Sequence, residues 1–234
     1  MLAYDLAIKI DPKLAKAYNN KGSSYKQMGK LELAIQCYDQ AISVKPKYAK
    51  AFYNKGNALQ QLGRHEEAVD ANQQAINIKS NHAEAYNNLG NALFDLGFAE
   101  KALEAYDNAI RSKDGDYDEA YYNKGFVLES LEKHLEAISA YDLAISSNKY
   151  YAEAWNNKGN SLVNLKKFRE AIDAYHEAVK IKPDYAEACY NKGNCYKKLE
   201  QWTYSILEYD KAIKLNSKFV EAMNNKGLVF KKQK

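Results

Sequence analysis

Large apolar and small residues alternate along this chain at a spacing that places them on one face of a helix. Tyr18, Gly22 and Tyr25 stand at i, i+4 and i+7, and a second set with the same spacing follows within the same stretch. The second set is Ala34, Tyr38 and Ala41. This spacing predicts two amphipathic helices. Gly29, between the two sets, is a helix-stopping residue and predicts a tight turn that makes the helices antiparallel.

The same unit recurs along nearly the whole chain. If positions are counted as slots, with the recurring glycine at slot eight, successive glycines lie 34, 34, 35, 34, 34 and 34 residues apart. They are Gly22, Gly56, Gly90, Gly125, Gly159, Gly193 and Gly227. One helical hairpin cannot bury its apolar stripe alone, so neighbouring hairpins are expected to stack into a continuous core. The predicted fold class is an all-α solenoid of antiparallel helix–turn–helix repeats.

The glycine spacing also sets the boundaries of a single predicted array over residues 1–234. Six full repeats are predicted at 15–48, 49–82, 83–117, 118–151, 152–185 and 186–219. Residues 1–14 match only a second helix, and residues 220–234 match only a first helix. We therefore expect an excerpt of a longer array, or ends that pack on further repeats or another subunit. The extra residue of the third repeat lies within 112–117 and predicts a loosened turn.

A 34-residue helix–turn–helix unit with these residues resembles the tetratricopeptide repeat family. The resemblance implies a right-handed superhelix with a concave groove lined by slots two, five, six, nine, 12 and 13 of the first helices. It also implies that an extended peptide or a partner helix binds in that groove. Asn72 departs from the family pattern at the aromatic slot 24 and is expected to loosen the second repeat slightly. Ser205 departs at the alanine of slot 20.

Asparagine supplies most of the candidate binding residues in this groove. It occupies slot six in every copy and slot nine in four copies. Asparagine is a mediocre helix former, so its recurrence within helices needs a reason. Its amide can pair with both polar groups of a peptide bond, and the row is similar to the asparagine ladder of O-linked N-acetylglucosamine transferases. The candidate amides are Asn20, Asn54, Asn57, Asn88, Asn91, Asn123, Asn157, Asn160, Asn191, Asn194 and Asn225.

Slot five alternates between asparagine and tyrosine, and Tyr53, Tyr122 and Tyr190 are candidate aromatic anchors. The asparagine row also has two interpretations that need no ligand. The amides could bond to the backbone of a neighbouring repeat and order the stack, or recent duplication could have copied them. The carboxylate clamp of chaperone adaptors is not expected, because it needs lysine at slot five and a basic residue at slot six. Lysine at slot seven, as in Lys55, is expected to lay its stem on the apolar seam with its ammonium in water.

Composition excludes several classes of protein. The net charge of +4 is not gathered into cationic runs, so nucleic-acid binding is not expected. No long apolar window and no signal peptide are present, which predicts no membrane span and a soluble, cytoplasmic protein. Cys37, Cys189 and Cys195 have no metal-ligand spacing, so neither a disulfide framework nor a metal site is expected. No cofactor is expected either.

No catalytic residue is assigned. The four histidines lie in different repeats, and no glycine-rich phosphate-binding loop is present. The predicted function is therefore a non-catalytic scaffold for protein–protein interaction. Two alternatives stay open: a substrate-recruiting segment of a larger enzyme such as a glycosyltransferase, and a structural or self-assembling solenoid.

Overall fold

Fourteen helices and no strand make up residues 2–233, the part of the chain that this computed structural model describes. Met1 and Lys234, the two ends of the predicted array, lie outside the described residues. The helices are α1 (Leu2–Ile10), α2 (Ala15–Gln27), α3 (Leu31–Val44), α4 (Ala49–Gln61), α5 (His65–Ile78), α6 (Ala83–Asp95), α7 (Ala99–Ser112), α8 (Asp118–Ser130), α9 (His134–Ser147), α10 (Ala152–Asn164), α11 (Phe168–Ile181), α12 (Ala186–Lys198), α13 (Trp202–Leu215) and α14 (Val220–Gln233). The predicted all-α repeat fold is confirmed.

Two compact units, Met1–Ala120 and Tyr121–Lys234, divide the chain within the first turn of α8. In the first unit, each helix from α1 to α6 packs on the next helix along the chain, and in the second unit each helix from α9 to α13 does the same. The first helices of adjacent repeats also touch: α2 contacts α4 and α4 contacts α6 in the first unit, and α10 contacts α12 in the second. The first helices of each unit therefore form a layer of their own.

A tyrosine ring packed on a glycine joins the two helices of most hairpins. The slot-24 tyrosine of the second helix lies on the slot-eight glycine of the first. A Cβ atom built on Gly90 would lie 2.6 Å from the ring of Tyr106, and one on Gly159 would lie 2.5 Å from Tyr175. Because interiors are close-packed, these positions accept only glycine without a shift of the ring. The buried slot-24 tyrosines are Tyr38, Tyr106, Tyr141, Tyr175 and Tyr209.

The hydroxyl of this tyrosine bonds back to the first helix. In three hairpins it donates to the amide oxygen of the slot-nine asparagine. The pairs are Tyr106 with Asn91 (2.8 Å), Tyr175 with Asn160 (2.7 Å) and Tyr209 with Asn194 (2.8 Å). In the fourth repeat slot nine is Phe126, and Tyr141 donates instead to Oε2 of Glu129 at 2.8 Å. Burial raises the pKa of Tyr209 to about 12, so its hydroxyl remains a donor at neutral pH.

The second repeat has Asn72 in place of this tyrosine. Asn72 is fully buried beside Gly56, and its Nδ2 donates to the carbonyl oxygen of Ala68 at 2.9 Å. Its Oδ1 has no partner, and a buried acceptor in that state costs about 1–3 kcal/mol. The slot-nine Asn57, which has lost its tyrosine, accepts from Nζ of Lys26 in the preceding repeat at 3.0 Å. The smaller amide therefore fills the space without restoring the hydrogen bond to slot nine.

Ion pairs connect neighbouring repeats through the slot-seven lysines. Nζ of Lys55 on α4 lies 2.7 Å from Oδ1 of Asp39 on α3, and Nζ of Lys158 on α10 lies 2.6 Å from Oδ1 of Asp142 on α9. These two ammonium groups are partly exposed, and each is in addition paired with a carboxylate of the preceding helix, which the sequence did not predict. Both partners are partly exposed, so each pair contributes at most about 1 kcal/mol.

Each hairpin turn passes through a residue in the left-handed backbone conformation, directly after the first helix. Glycine occupies this position in the first three repeats, as the sequence predicts, but other residues occupy it in the last three. The φ angles are 72° at Gly29, 74° at Gly63, 84° at Gly97, 58° at Glu132, 60° at Lys166 and 58° at Glu200. The packing of the two helices therefore imposes this conformation, at a cost of about 1–2 kcal/mol per non-glycine residue.

The extra residue of the third repeat is accommodated in the turn after α7. Asp114 and Gly115 have φ angles of 54° and 86°, and the N–H of Gly115 donates to the carbonyl of Ile110 at 3.0 Å. Tyr117, which follows, is buried. The turn that the sequence predicted to be loosened is therefore closed by its own hydrogen bonds.

Apolar side chains are exposed on the first and last helices. Leu2 is 87% exposed on α1, and Val220 is 67% exposed on α14. Packing of these ends on further repeats or on another subunit stays a prediction.

The glycine contact can be tested with two substitutions at the same slot. Gly90→Ala should lower the free energy of unfolding by about 1–3 kcal/mol, because its Cβ would overlap the Tyr106 ring. Gly227→Ala meets nothing within 4 Å and should be neutral or stabilising by up to about 1 kcal/mol, since alanine favours the helix. Thermal melts followed by circular dichroism would compare the two. Equal melting temperatures would contradict the role assigned to the glycine.

The replacement of the slot-24 tyrosine by Asn72 in the second repeat predicts a stabilising change. Asn72→Tyr should raise the free energy of unfolding by about 1–2 kcal/mol, because it removes the unpaired amide oxygen and places a ring on Gly56. Asn72→Ala is the matched control and should destabilise the chain by leaving a cavity. Urea titrations of the three proteins would measure the order. A tyrosine variant no more stable than the alanine variant would refute the role given to the slot-24 ring.

Candidate peptide-binding surface

All eleven candidate asparagines lie half-buried on the first helices of the repeats. Slots six and nine are one helical turn apart, so the two rows share a face of each helix. Because the first helices form one layer in each unit, that face is a shared surface of neighbouring repeats.

The slot-six amides bond to side chains of the preceding repeat. Nδ2 of Asn54 donates to Oδ1 of Asn19 at 2.9 Å, and Nδ2 of Asn157 donates to the hydroxyl of Tyr122 at 3.1 Å. Further pairs are Asn191 with Asn160 (3.2 Å), Asn225 with Tyr190 (3.0 Å) and Asn225 with Asn194 (3.0 Å). The partners are side chains, whereas the stacking hypothesis named the backbone. An amide has two donors and two acceptor lone pairs, so these bonds leave capacity for a ligand.

Asn88 differs from its counterparts in the second unit. Its Nδ2 is buried and has no partner in hydrogen-bonding geometry. Burial raises the pKa of the neighbouring Tyr53, and the nearby Asn88 amide offsets part of that rise. Buried donors without partners are uncommon, which makes Asn88 an exception in the row. Of the remaining slot-six amides, Asn20 accepts from Asn19 at 3.4 Å, and Asn123 lies at the equivalent position of α8.

The slot-nine asparagines already accept hydrogen bonds from other side chains of the protein. The oxygen atoms of Asn91, Asn160 and Asn194 accept from the buried tyrosines, and the oxygen atom of Asn57 accepts from Lys26. Sequence reasoning assigned these residues to a ligand and did not foresee this role. Their amide nitrogens are the atoms that remain for binding.

The three candidate anchor tyrosines each lie against a second aromatic ring, at slot 34 of the same repeat. The centroids are 5.1 Å apart in Tyr53–His82, 4.9 Å in Tyr122–Tyr151 and 4.9 Å in Tyr190–Phe219. Sequence reasoning missed slot 34, although the signal is visible when the repeats are aligned. The residues at this slot are Tyr48, His82, Tyr117, Tyr151, Tyr185 and Phe219. Slots five and 34 together therefore form an aromatic surface beside the asparagines.

Glutamates occupy slot two, beside this aromatic surface, in the third to sixth repeats. After burial, the charges of Glu153 and Glu187 contribute to the raised pKa of Tyr122. In the first unit, Oε2 of Glu84 lies 3.2 Å from Nδ1 of His82, and Nδ2 of Asn87 donates to Oε1 of Glu119 at 3.1 Å. Carboxylates therefore border the aromatic surface in both units.

Other chemistry is not assembled in the described part of the chain. Within residues 2–233, no group of three histidine, cysteine or acidic side chains is placed to hold a metal ion. None of the helices described there has the length and apolar character needed to cross a membrane. The three cysteines are buried free thiols, and burial raises the pKa of Cys195 to about 12, which disfavours the reactive thiolate.

Family models for this repeat match the chain in consecutive stretches. A model described as TPR repeat matches residues 22–63 and 56–97. Models described as Tetratricopeptide repeat match residues 3–36, 87–157, 152–185 and 186–219. Together these matches cover residues 3–219. No curated protein sequence matches the chain significantly.

Solved structures share the fold. YrrB, described as a TPR protein with an unusual peptide-binding site, is 25% identical with a TM-score of 0.67, and the match covers 81% of this chain and 97% of YrrB. PilF of Pseudomonas aeruginosa is 18% identical with a TM-score of 0.78, covering 94% and 97%. A chain of the APC/C hetero-tetramer Cut9–Hcn1 is 17% identical with a TM-score of 0.75, covering 97% of this chain and 45% of that one.

The fold and its surface define a helical-repeat scaffold for protein–protein interaction. Paired helices recur over residues 2–233, and the repeat models match over nearly the same length. The chain belongs to the tetratricopeptide repeat family.

The histidine in the aromatic surface predicts a dependence of stability on pH. Burial lowers the pKa of His82 below 6.5, Lys79 lowers it further, and Glu84 opposes both. The neutral imidazole therefore contributes stability above the unfolded-state value of 6.5, and this contribution is lost as the pH falls through the lowered folded-state value. His82→Tyr introduces the residue found at this slot in four other repeats and removes the titration.

Melting temperatures at about pH 7.5 and about pH 5 would test this. The wild type should lose more stability on acidification than His82→Tyr, since the other three histidines are the same in both. An equal or larger loss in the variant would show that His82 is not the group responsible.

Proposed function

We propose that this chain binds an extended peptide segment of a partner protein along the surface formed by its first helices. The observation that carries the proposal is the row of half-buried amides at slot six. Asn54, Asn157 and Asn191 retain donor or acceptor capacity after their bonds to the preceding repeat. An extended backbone offers N–H and C=O groups in alternation, and such amides can bond to both.

The remaining acceptors and donors favour recognition of a backbone over recognition of one side chain. Within the described residues, the Nδ2 atoms of Asn54 and Asn191 donate hydrogen bonds, but their Oδ1 atoms accept none. Asn88 differs, because the atom without a hydrogen-bond partner is its amide nitrogen. A ligand backbone lying across the row would therefore meet both acceptors and donors.

Aromatic rings beside the amides supply apolar contact area. Tyr53, Tyr122 and Tyr190 are half-buried, so each presents part of its surface to solvent. Tyrosines of this kind are enriched among residues that dominate binding energy. YrrB, whose structure is described as having a peptide-binding site, shares the fold at 25% identity and supports the proposal by similarity. Binding of this kind makes the chain a scaffold that acts by holding its partner, with no catalytic residue of its own.

Asparagine-to-alanine variants would separate binding from stacking. Asn88→Ala removes an amide with no hydrogen bond from its nitrogen to the preceding repeat, so it should weaken peptide binding about three- to tenfold while leaving the melting temperature nearly unchanged. Asn157→Ala also breaks the bond to Tyr122, so it should lower both binding and stability. Asn77→Ala on the outer helix α5 is the matched control and should change neither.

The probe for these measurements is a set of peptides selected on the wild-type chain from a random phage-displayed library. Their affinities for each variant would be measured by fluorescence anisotropy. If Asn88→Ala and Asn157→Ala bind the selected peptides as the wild type does, the amides serve the stack alone and the proposal fails.

A further inference from the structure

A lysine of the chain itself lies between an aromatic ring and a carboxylate on the proposed binding surface. Nζ of Lys182, just after α11, lies 4.8 Å from the ring centroid of Tyr185 and 3.1 Å from Oε1 of Glu153 on α10. An ammonium group over an aromatic face is attracted by the electrons of the ring, and the carboxylate adds an opposite charge. The position beside the ring of Tyr185 and the carboxylate of Glu153 is therefore already occupied by one cationic side chain.

The first unit contains the same arrangement at equivalent slots. Nζ of Lys113 lies 4.2 Å from the ring centroid of Tyr117 and 3.5 Å from Oε1 of Glu84. Lysine at slot 31, the ring at slot 34 and glutamate at slot two thus recur together in the third and fifth repeats. Both arrangements place an ammonium group beside a ring and a carboxylate.

The sixth repeat presents a carboxylate without such a lysine. Glu187 at slot two is exposed, and slot 31 of this repeat is Asn216. Within the described residues Glu187 forms no ion pair, yet its charge contributes to the raised pKa of both Tyr122 and Tyr185. Glu187 therefore lies near two phenol rings and has no cation of its own.

An unpaired acceptor lies on the same helix as Glu153. Asn156 is 1% exposed, and its Oδ1 has no hydrogen-bond partner. Residues three apart on a helix share a face, so Asn156 lies one turn from Glu153 on α10. The second unit thus combines two carboxylates, two phenol rings and a buried acceptor, all of which favour a donor or a cation.

We infer that the partner segment is basic, and that it places lysine or arginine side chains against Glu153, Glu187 and the neighbouring tyrosine rings. This rests on the proposed peptide-binding function and names the chemistry of its ligand. The net charge of the chain is +4, but charges beyond about 8 Å are screened at physiological salt. The local carboxylates therefore decide which segment binds.

Lys182 competes with the partner for the same position. It and Glu153 are 45% and 44% exposed at the side chain, so their pairing is a weak surface interaction. An incoming arginine or lysine can displace the ammonium group into water at little cost. Removal of Lys182 should then strengthen binding, which a structural role for the pair would not predict.

The first test uses three synthetic peptides of one extended sequence, differing only in whether four positions are lysine, glutamine or glutamate. Fluorescence anisotropy with the whole chain should rank them lysine, glutamine, glutamate in falling affinity. The double variant Glu153→Gln/Glu187→Gln should bind the lysine peptide about five- to tenfold more weakly, with little change for the glutamine peptide. Glu170→Gln/Glu177→Gln on α11, with the same loss of charge, is the matched control and should bind as the wild type does.

The second test removes the internal competitor. Lys182→Ala should bind the lysine peptide about two- to fivefold more tightly than the wild type. Lys180→Ala, which removes the same charge from the exposed pair with Glu177, should have no effect.

The outcomes distinguish this inference from the proposed function. If all three peptides bind equally and binding depends on Asn88, the chain binds peptides but does not select cations, and only this inference is refuted. If none of the peptides binds, both proposals are refuted. Equal effects of Lys182→Ala and Lys180→Ala would also overturn the inference, because the change would then reflect overall charge.

Discussion

The contact between a tyrosine ring and a glycine backbone determines the geometry of most hairpins. It sets how closely the two helices approach, because no side chain separates the ring from the first helix. The ring also carries a hydroxyl that needs a hydrogen-bond partner inside the protein. The partner is the asparagine directly after the glycine or, in the fourth repeat, the glutamate one turn after it. The position of the second helix against the first helix of each such hairpin follows from this contact.

The asparagines on the layer of first helices in each unit stabilise the stack of repeats and are also the proposed ligand-binding residues. One amide group can stabilise the stack with one atom and present another atom to a ligand, since it has both donors and acceptors. Asn54 illustrates the overlap, because its nitrogen donates to Asn19 and, within the described residues, its oxygen accepts no hydrogen bond. A scaffold built this way couples its own stability to occupancy by a partner, because a bound backbone would satisfy groups such as Nδ2 of Asn88.

The helices and the turns between them could be predicted from the sequence because they depend on local periodicity. The partners of individual side chains could not, because they depend on the offset between adjacent hairpins. Lys55 and Asp39 are 16 residues apart and meet only when two repeats stack. Lys166 gives no sign in the sequence that its backbone is left-handed, since the packing of its neighbours imposes that conformation. The aromatic slot 34 was visible in the alignment of repeats, but its contact with slot five required the fold.

Slot five shows that the true repeating element of this chain is a pair of hairpins. In the second unit the buried Asn156 lies between Tyr122 and Tyr190, and in the first unit Tyr53 lies between Asn19 and Asn87. The hydroxyl of Tyr122 accepts from Asn157 of the next hairpin, whereas at the equivalent slots of the first unit Asn19 accepts from Asn54. Gain or loss of one hairpin by unequal recombination would put two tyrosines or two asparagines side by side at slot five. Gain or loss of two hairpins would keep the alternation.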